Sequence, residues 1–182
     1  YVMDTETIHE PWYSNLDLEI TYDVSELVNL YRYLFSDISI ILKIFSRHEL
    51  EQGFQVIISN NPWSVSTLVW NDTIPIAERK GLIMSIYNLY QQFTKQAYLP
   101  PALFVWWHEI VFHRLMHQTI NASSEVIEDI IGVLAKLLLL DENCQIAALY
   151  GLASIDHIDA QRVSHSFLES HPSMHKWRDG LI

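Results

Sequence analysis

The stretch SEVIEDIIGVLAKLLLLDENCQIAALYGLASI, residues 124–155, contains two helical patterns joined by a short polar connection. In its first half, apolar residues recur at spacings of three and four, which is typical of a helix with one buried face. The run 137–140 is apolar all round and predicts burial on more than one side. Asp141 or Asn143 then starts a second helix, which extends to about Ile155. Because the connection is short, we expect the two helices to pack antiparallel.

The same spacing recurs along most of the chain. One long apolar stripe predicts a helix that begins at Asp23 or Ser25 and continues to about Phe45, with Arg47 and His48 at its end. The pattern of segment 49–59 fits either a helix or a strand. Further helices are predicted from Pro75 to about Gln96, after the break at Pro100-Pro101, from Ser123 or Ser124 onward, and from Asp159 to Ser170.

These patterns predict an all-α protein, built as a bundle or as a short right-handed stack of antiparallel helical hairpins. The length suits one domain over residues 1–182 with its own hydrophobic core. Residues 1–23 lack a helical period and contain Pro11, so we expect them to form an irregular, acidic N-terminal arm.

The stretch CQIAALYGLASID, residues 144–156, together with residues 158–163 and 167–168, resembles a HEAT-like helical repeat. Such repeats carry an Ala-Ala-Leu run, a small residue, a later Leu, and an acidic turn into a second helix. The matching residues are Ala147, Ala148, Leu149, Gly151 and Leu152. The resemblance covers part of the C-terminal third. It implies a HEAT-like hairpin at that end and a role as a protein-binding scaffold.

Composition excludes several classes of function. The net charge of −11 argues against nucleic acid as a partner, since phosphate binding needs clustered Lys and Arg. No apolar run reaches the roughly 20 residues that a membrane span requires. The sequence has no nucleophile elbow, P-loop or dinucleotide fingerprint. The single cysteine, Cys144, lies in an apolar helix pattern, so we expect a buried thiol and a cytoplasmic protein.

The N-terminal arm carries carboxylates and no Lys or Arg. One interpretation is a solvated surface that keeps the protein soluble. The other is an acidic face that attracts a basic protein partner. The arm residues predicted to bind such a partner are Asp4, Glu6, Glu10, Trp12, Asp17 and Glu19.

The segment WWHEIVFHRLMH, residues 106–117, is the strongest candidate for chemistry. Glu109, His113 and His117 are spaced four and four, which places them on one helical face as ligands for a divalent metal. His108 and Glu109 followed by His113 resemble the HExxxH motif of the dipeptidyl peptidase III family, which implies a zinc site. The alternative is a packing helix whose histidine face is solvated and whose two tryptophans anchor it.

We therefore expect a non-enzymatic protein-interaction module without a cofactor. Its most concrete version is an inhibitor or immunity protein that neutralises a basic toxin or effector. One alternative is a metal-dependent hydrolase that uses the face formed by Glu109, His113 and His117. The other is a structural subunit of a larger assembly.

Overall fold

The computed structural model describes residues 23–59, 61–96, 98–116 and 124–179, and within them it contains helices and no strand. This confirms the all-α prediction. A short 3₁₀ turn, Pro172–Met174, precedes the last helix. The helices are α1 (Val24–Ser36), α2 (Ser39–Ile44), α3 (Arg47–Ile58), α4 (Val65–Trp70), α5 (Ile76–Thr94), α6 (Pro101–Met116), α7 (Ser124–Leu137), α8 (Glu142–Ala153), α9 (Ile158–Ser170) and α10 (His175–Asp179).

The helices pack in two layers. One layer runs α1, α5, α7 and α9; the other runs α3 with α4, then α6, α8 and α10. Lys80 at the start of α5 bonds Glu125 and Asp129 at the start of α7, while Lys136 lies over Tyr87 further along both helices. Thus α5 and α7 run parallel, as alternate helices do in stacked hairpins. None of the described helices is long and apolar enough to cross a membrane.

Two adjacent tryptophans of α6 lie at the centre of the core, and both are fully buried. The indole of Trp106 donates to the carbonyl of Phe54 in α3 and packs edge-on against the Phe54 ring. The Trp107 ring stacks on Tyr90 of α5, whose hydroxyl donates to the carbonyl of Leu103. The expectation that both tryptophans anchor this helix is therefore confirmed, but the solvated histidine face expected with it is wrong for His108 and His113, which are partly buried.

The long helix predicted from Asp23 to Phe45 is in fact two helices. Asp23 caps α1 as expected, but the chain becomes extended at Asp37 before α2 begins. Gln92 of α5 holds this break: it donates to the carbonyl of Phe35 at 2.8 Å and accepts from the amide of Ile38 at 2.9 Å. A distant side chain thus satisfies backbone groups that an unbroken helix would have paired.

Two further boundaries differ from prediction. Arg47 begins α3 instead of ending α1, because Ser46 and Glu49 form a reciprocal capping box. This pattern also settles segment 49–59 as helix. Asp159 is not the cap of α9; the Nδ1 of His157 accepts from the Asp159 amide instead. Asp141 does cap α8, as predicted.

Gly151 marks the closest approach between α8 and its neighbours. A Cβ atom at this position would lie 2.6 Å from Cβ of Trp107 and 3.0 Å from a methyl carbon of Leu134. Both neighbours are fully buried. Here α8 therefore packs with its backbone directly against α6 and α7.

Gly151→Ala should lower the free energy of unfolding by about 1–3 kcal/mol, because an added methyl group must displace the packed Trp107. The matched control is Gly132→Ala in α7, where a Cβ would meet nothing within 4 Å. That change should stabilise by about 0.5–1 kcal/mol through helix propensity. Urea unfolding of both variants measures this, and equal effects at the two positions would contradict the close approach.

Candidate interaction surface

Two of the three predicted metal ligands, Glu109 and His113, lie on α6, and both are partly buried. The third, His117, lies outside the described residues. The same holds for the predicted partner-binding residues of the arm, which are Asp4, Glu6, Glu10, Trp12, Asp17 and Glu19. The roles assigned to these masked positions stay predictions.

His113 joins α6 to α4 through a hydrogen bond. Its Nε2 lies 3.1 Å from Oγ1 of Thr67. Since the Thr67 hydroxyl donates to the carbonyl of Asn61 at 2.7 Å, its oxygen is left to accept from the imidazole. His113 therefore carries a proton on Nε2. A protonated ring nitrogen has no lone pair for a metal, so this contact competes with metal binding through Nε2.

Within the described ranges, no group of three His, Cys, Asp or Glu side chains is placed to hold a metal ion. Glu109 lines a groove against α3, whereas His113 bonds to α4. A metal site that also uses His117 stays a prediction, because that residue is not among those described.

His108 contacts α8 on the other side of α6. Its Nδ1 lies 2.9 Å from Oγ of Ser154, whose hydroxyl donates to the carbonyl of Tyr150 at 3.0 Å. The imidazole therefore donates to Ser154. The His108 ring centre lies 5.1 Å from that of Tyr150 and 5.8 Å from that of Phe112. We call Tyr150, His108 and Phe112 the aromatic row.

Glu109 lines a groove of about 550 Å³ between α3 and α6, which we call the acidic groove. Carboxylates come from both helices, Glu51 from α3 and Glu109 from α6. Apolar side chains also line the groove. The residues that line the groove are Glu51, Gln55, Ile58, Ser59, Pro101, Ala102, Val105 and Glu109.

The polar groups of the acidic groove present mainly acceptors. Gln55 donates to Oε1 of Glu51 at 3.3 Å, which leaves the amide oxygen of Gln55 to accept. The hydroxyl of Ser59 donates to the carbonyl of Val56 at 2.7 Å. Oε2 of Glu51 is buried without a hydrogen-bond donor. Among the residues that the structure describes, no cation forms an ion pair with Glu51 or Glu109.

Arg47 lies one turn before Glu51 on α3 and packs elsewhere. Its guanidinium carbon lies 4.5 Å from the ring centre of Tyr98, a cation–π contact. Burial raises the pKa of Tyr98, and the charge of Glu51 raises it further. Among the described residues, Arg47 makes this ring contact and no ion pair with Glu51.

The two nucleophilic side chains in α8 and at its end are held in structural roles. Cys144 is fully buried, and burial raises the pKa of its thiol far above the usual range, with Asp141 adding to the effect. The thiol is the inert packing group that the sequence predicts. Ser154 lines a second concavity at the α8–α9 turn, but its hydroxyl is committed to Tyr150.

Sequence reasoning found Glu109 but missed Glu51, its counterpart across the acidic groove. The sequence Ser46-Arg-His-Glu49 matches a capping box and would have identified α3 as a helix. Glu51, Gln55 and Ile58 would then share one face, since they are spaced four and three. The pairing of that face with α6 has no local signal.

Comparisons with protein-family models, curated proteins and solved structures find no match to this chain. The HEAT-like resemblance of the C-terminal third therefore stays a prediction. The chemistry of the acidic groove and the aromatic row is the basis for inferring a function.

Thr67→Val should lower the free energy of unfolding by roughly 1–2 kcal/mol, because it keeps the side-chain volume but removes the hydroxyl that accepts from His113 and donates to the Asn61 carbonyl. The loss should be the same with and without a chelator. Thr94→Val is the control, since the Thr94 hydroxyl bonds only within its own helix. Urea unfolding measures both, and a chelator that lowers wild-type stability would favour a metal at His113 instead.

Proposed function

We propose that this protein is a non-enzymatic interaction module that binds a basic partner protein through the acidic groove. The observation that carries this proposal is the groove between α3 and α6, into which both helices place a carboxylate, Glu51 and Glu109, that forms no ion pair among the described residues. A cationic side chain of a partner would form charge-assisted hydrogen bonds with these carboxylates.

A lysine or arginine side chain suits this groove on two grounds. Its aliphatic stem can lie along the apolar surface of Ile58, Ala102 and Val105. Its charged end can then donate to Glu51, Glu109 and the amide oxygen of Gln55. An anionic or purely apolar ligand would leave these acceptors unpaired.

The charge of the whole chain supports a basic partner. At −11, the protein attracts cationic surfaces over distances of about a Debye length, roughly 8 Å at physiological ionic strength. Such attraction mainly speeds encounter, while the groove supplies specificity. An inhibitor or immunity protein that neutralises a basic toxin or effector is the most concrete form of this function.

Affinity capture from the native host should recover a basic protein with the wild-type chain. Glu51→Gln combined with Glu109→Gln should weaken binding of that protein by roughly tenfold or more, since partly buried charge pairs are lost. The control with the same change in net charge is Glu128→Gln with Glu142→Gln, two exposed positions on α7 and α8. The control should bind as the wild type does.

An equal loss of affinity in both double variants would show that binding depends only on net charge. If neither double variant loses affinity, the acidic groove is excluded as the binding site. Binding should also weaken as salt is raised from low to physiological concentration, because exposed charges are screened. Isothermal titration calorimetry at several salt concentrations measures this dependence, and salt-independent binding would contradict a basic partner.

A further inference from the structure

The outward face of α6 forms an apolar ridge beside the acidic groove. Val105 and Phe112 are two turns apart on one helical face, and Glu109 lies between them at spacings of four and three. The Phe112 side chain is 43% exposed, and Val105 and Leu115 are also exposed. Because Trp106 and Trp107 bury the opposite face, these side chains point away from the core.

The ridge lies between two different borders. On one side, α3 contributes Glu51 and the acidic groove. On the other, α8 contributes Tyr150, which continues the aromatic row through His108 to Phe112. Aromatic faces attract cations as well as apolar groups. Both borders therefore favour a ligand that combines positive charge with an apolar stripe.

We propose that the segment that docks here is a basic amphipathic helix of the partner protein. This inference rests on the proposed function and names the form of its partner. A helix aligned with α6 presents neighbours three, four and seven residues apart, with about 1.5 Å rise per residue. That spacing matches Val105, Glu109 and Phe112, so a Lys or Arg can face the groove while apolar residues one turn away cover Phe112.

The test uses two fluorescent synthetic peptides of identical composition. One carries lysines and leucines arranged as an amphipathic helix, and the other has them scrambled. The amphipathic peptide should bind the full chain roughly tenfold more tightly, because only it aligns both charge and apolar stripe with the surface. Fluorescence anisotropy measures the dissociation constants.

Phe112→Ser should weaken binding of the amphipathic peptide by about tenfold and leave binding of the scrambled peptide unchanged. The control is Leu139→Ser at a side chain 82% exposed between α7 and α8. Both variants alter exposed residues, and thermal melting verifies that they fold.

The outcomes separate the two proposals. If both peptides bind equally and Phe112→Ser has no effect, while Glu51→Gln with Glu109→Gln weakens both, the helical partner is wrong and the basic groove stands. If the affinity of neither peptide depends on Glu51 and Glu109, the acidic groove is excluded as the binding site. If Phe112→Ser weakens binding of the amphipathic peptide alone, the result supports a helical partner segment.

Discussion

The contact between Trp107 and the backbone of α8 at Gly151 sets the geometry of this protein. It leaves no space for a Cβ atom at residue 151, so α8 packs here with its backbone against Cβ of Trp107 and the methyl groups of Leu134. Trp106, one residue earlier, fixes the other side of α6 against Phe54 of α3. With both indoles buried, α6 cannot rotate without opening a large cavity.

The orientation of α6 determines what its outer surface offers. Glu109 comes two residues after Trp107 and is directed toward α3, where it faces the acidic groove with Glu51. His108 is directed toward α8 and joins Ser154 and Tyr150. The same packing that buries the tryptophans therefore separates the acidic side of the helix from its aromatic side. A surface with two chemically different borders results from the core itself.

Local signals in the sequence predicted much of the fold. The features that the sequence analysis missed depend on long-range contacts. Asp23 and Asp141 cap helices as expected. The break before α2 depends on Gln92, which is distant in sequence. Glu109 was visible as part of a polar helix face, but its partner Glu51 meets it only through tertiary packing, for which no local pattern exists.

The most direct test is an NMR titration of the glutamate side-chain carboxyl carbons with a lysine-rich peptide. If the acidic groove is the binding site, the resonances of Glu51 and Glu109 shift first and saturate together, while those of the exposed Glu26, Glu128 and Glu142 change little. If all carboxylates shift in parallel, in proportion to their exposure, attraction is diffuse and the acidic groove is not a specific site.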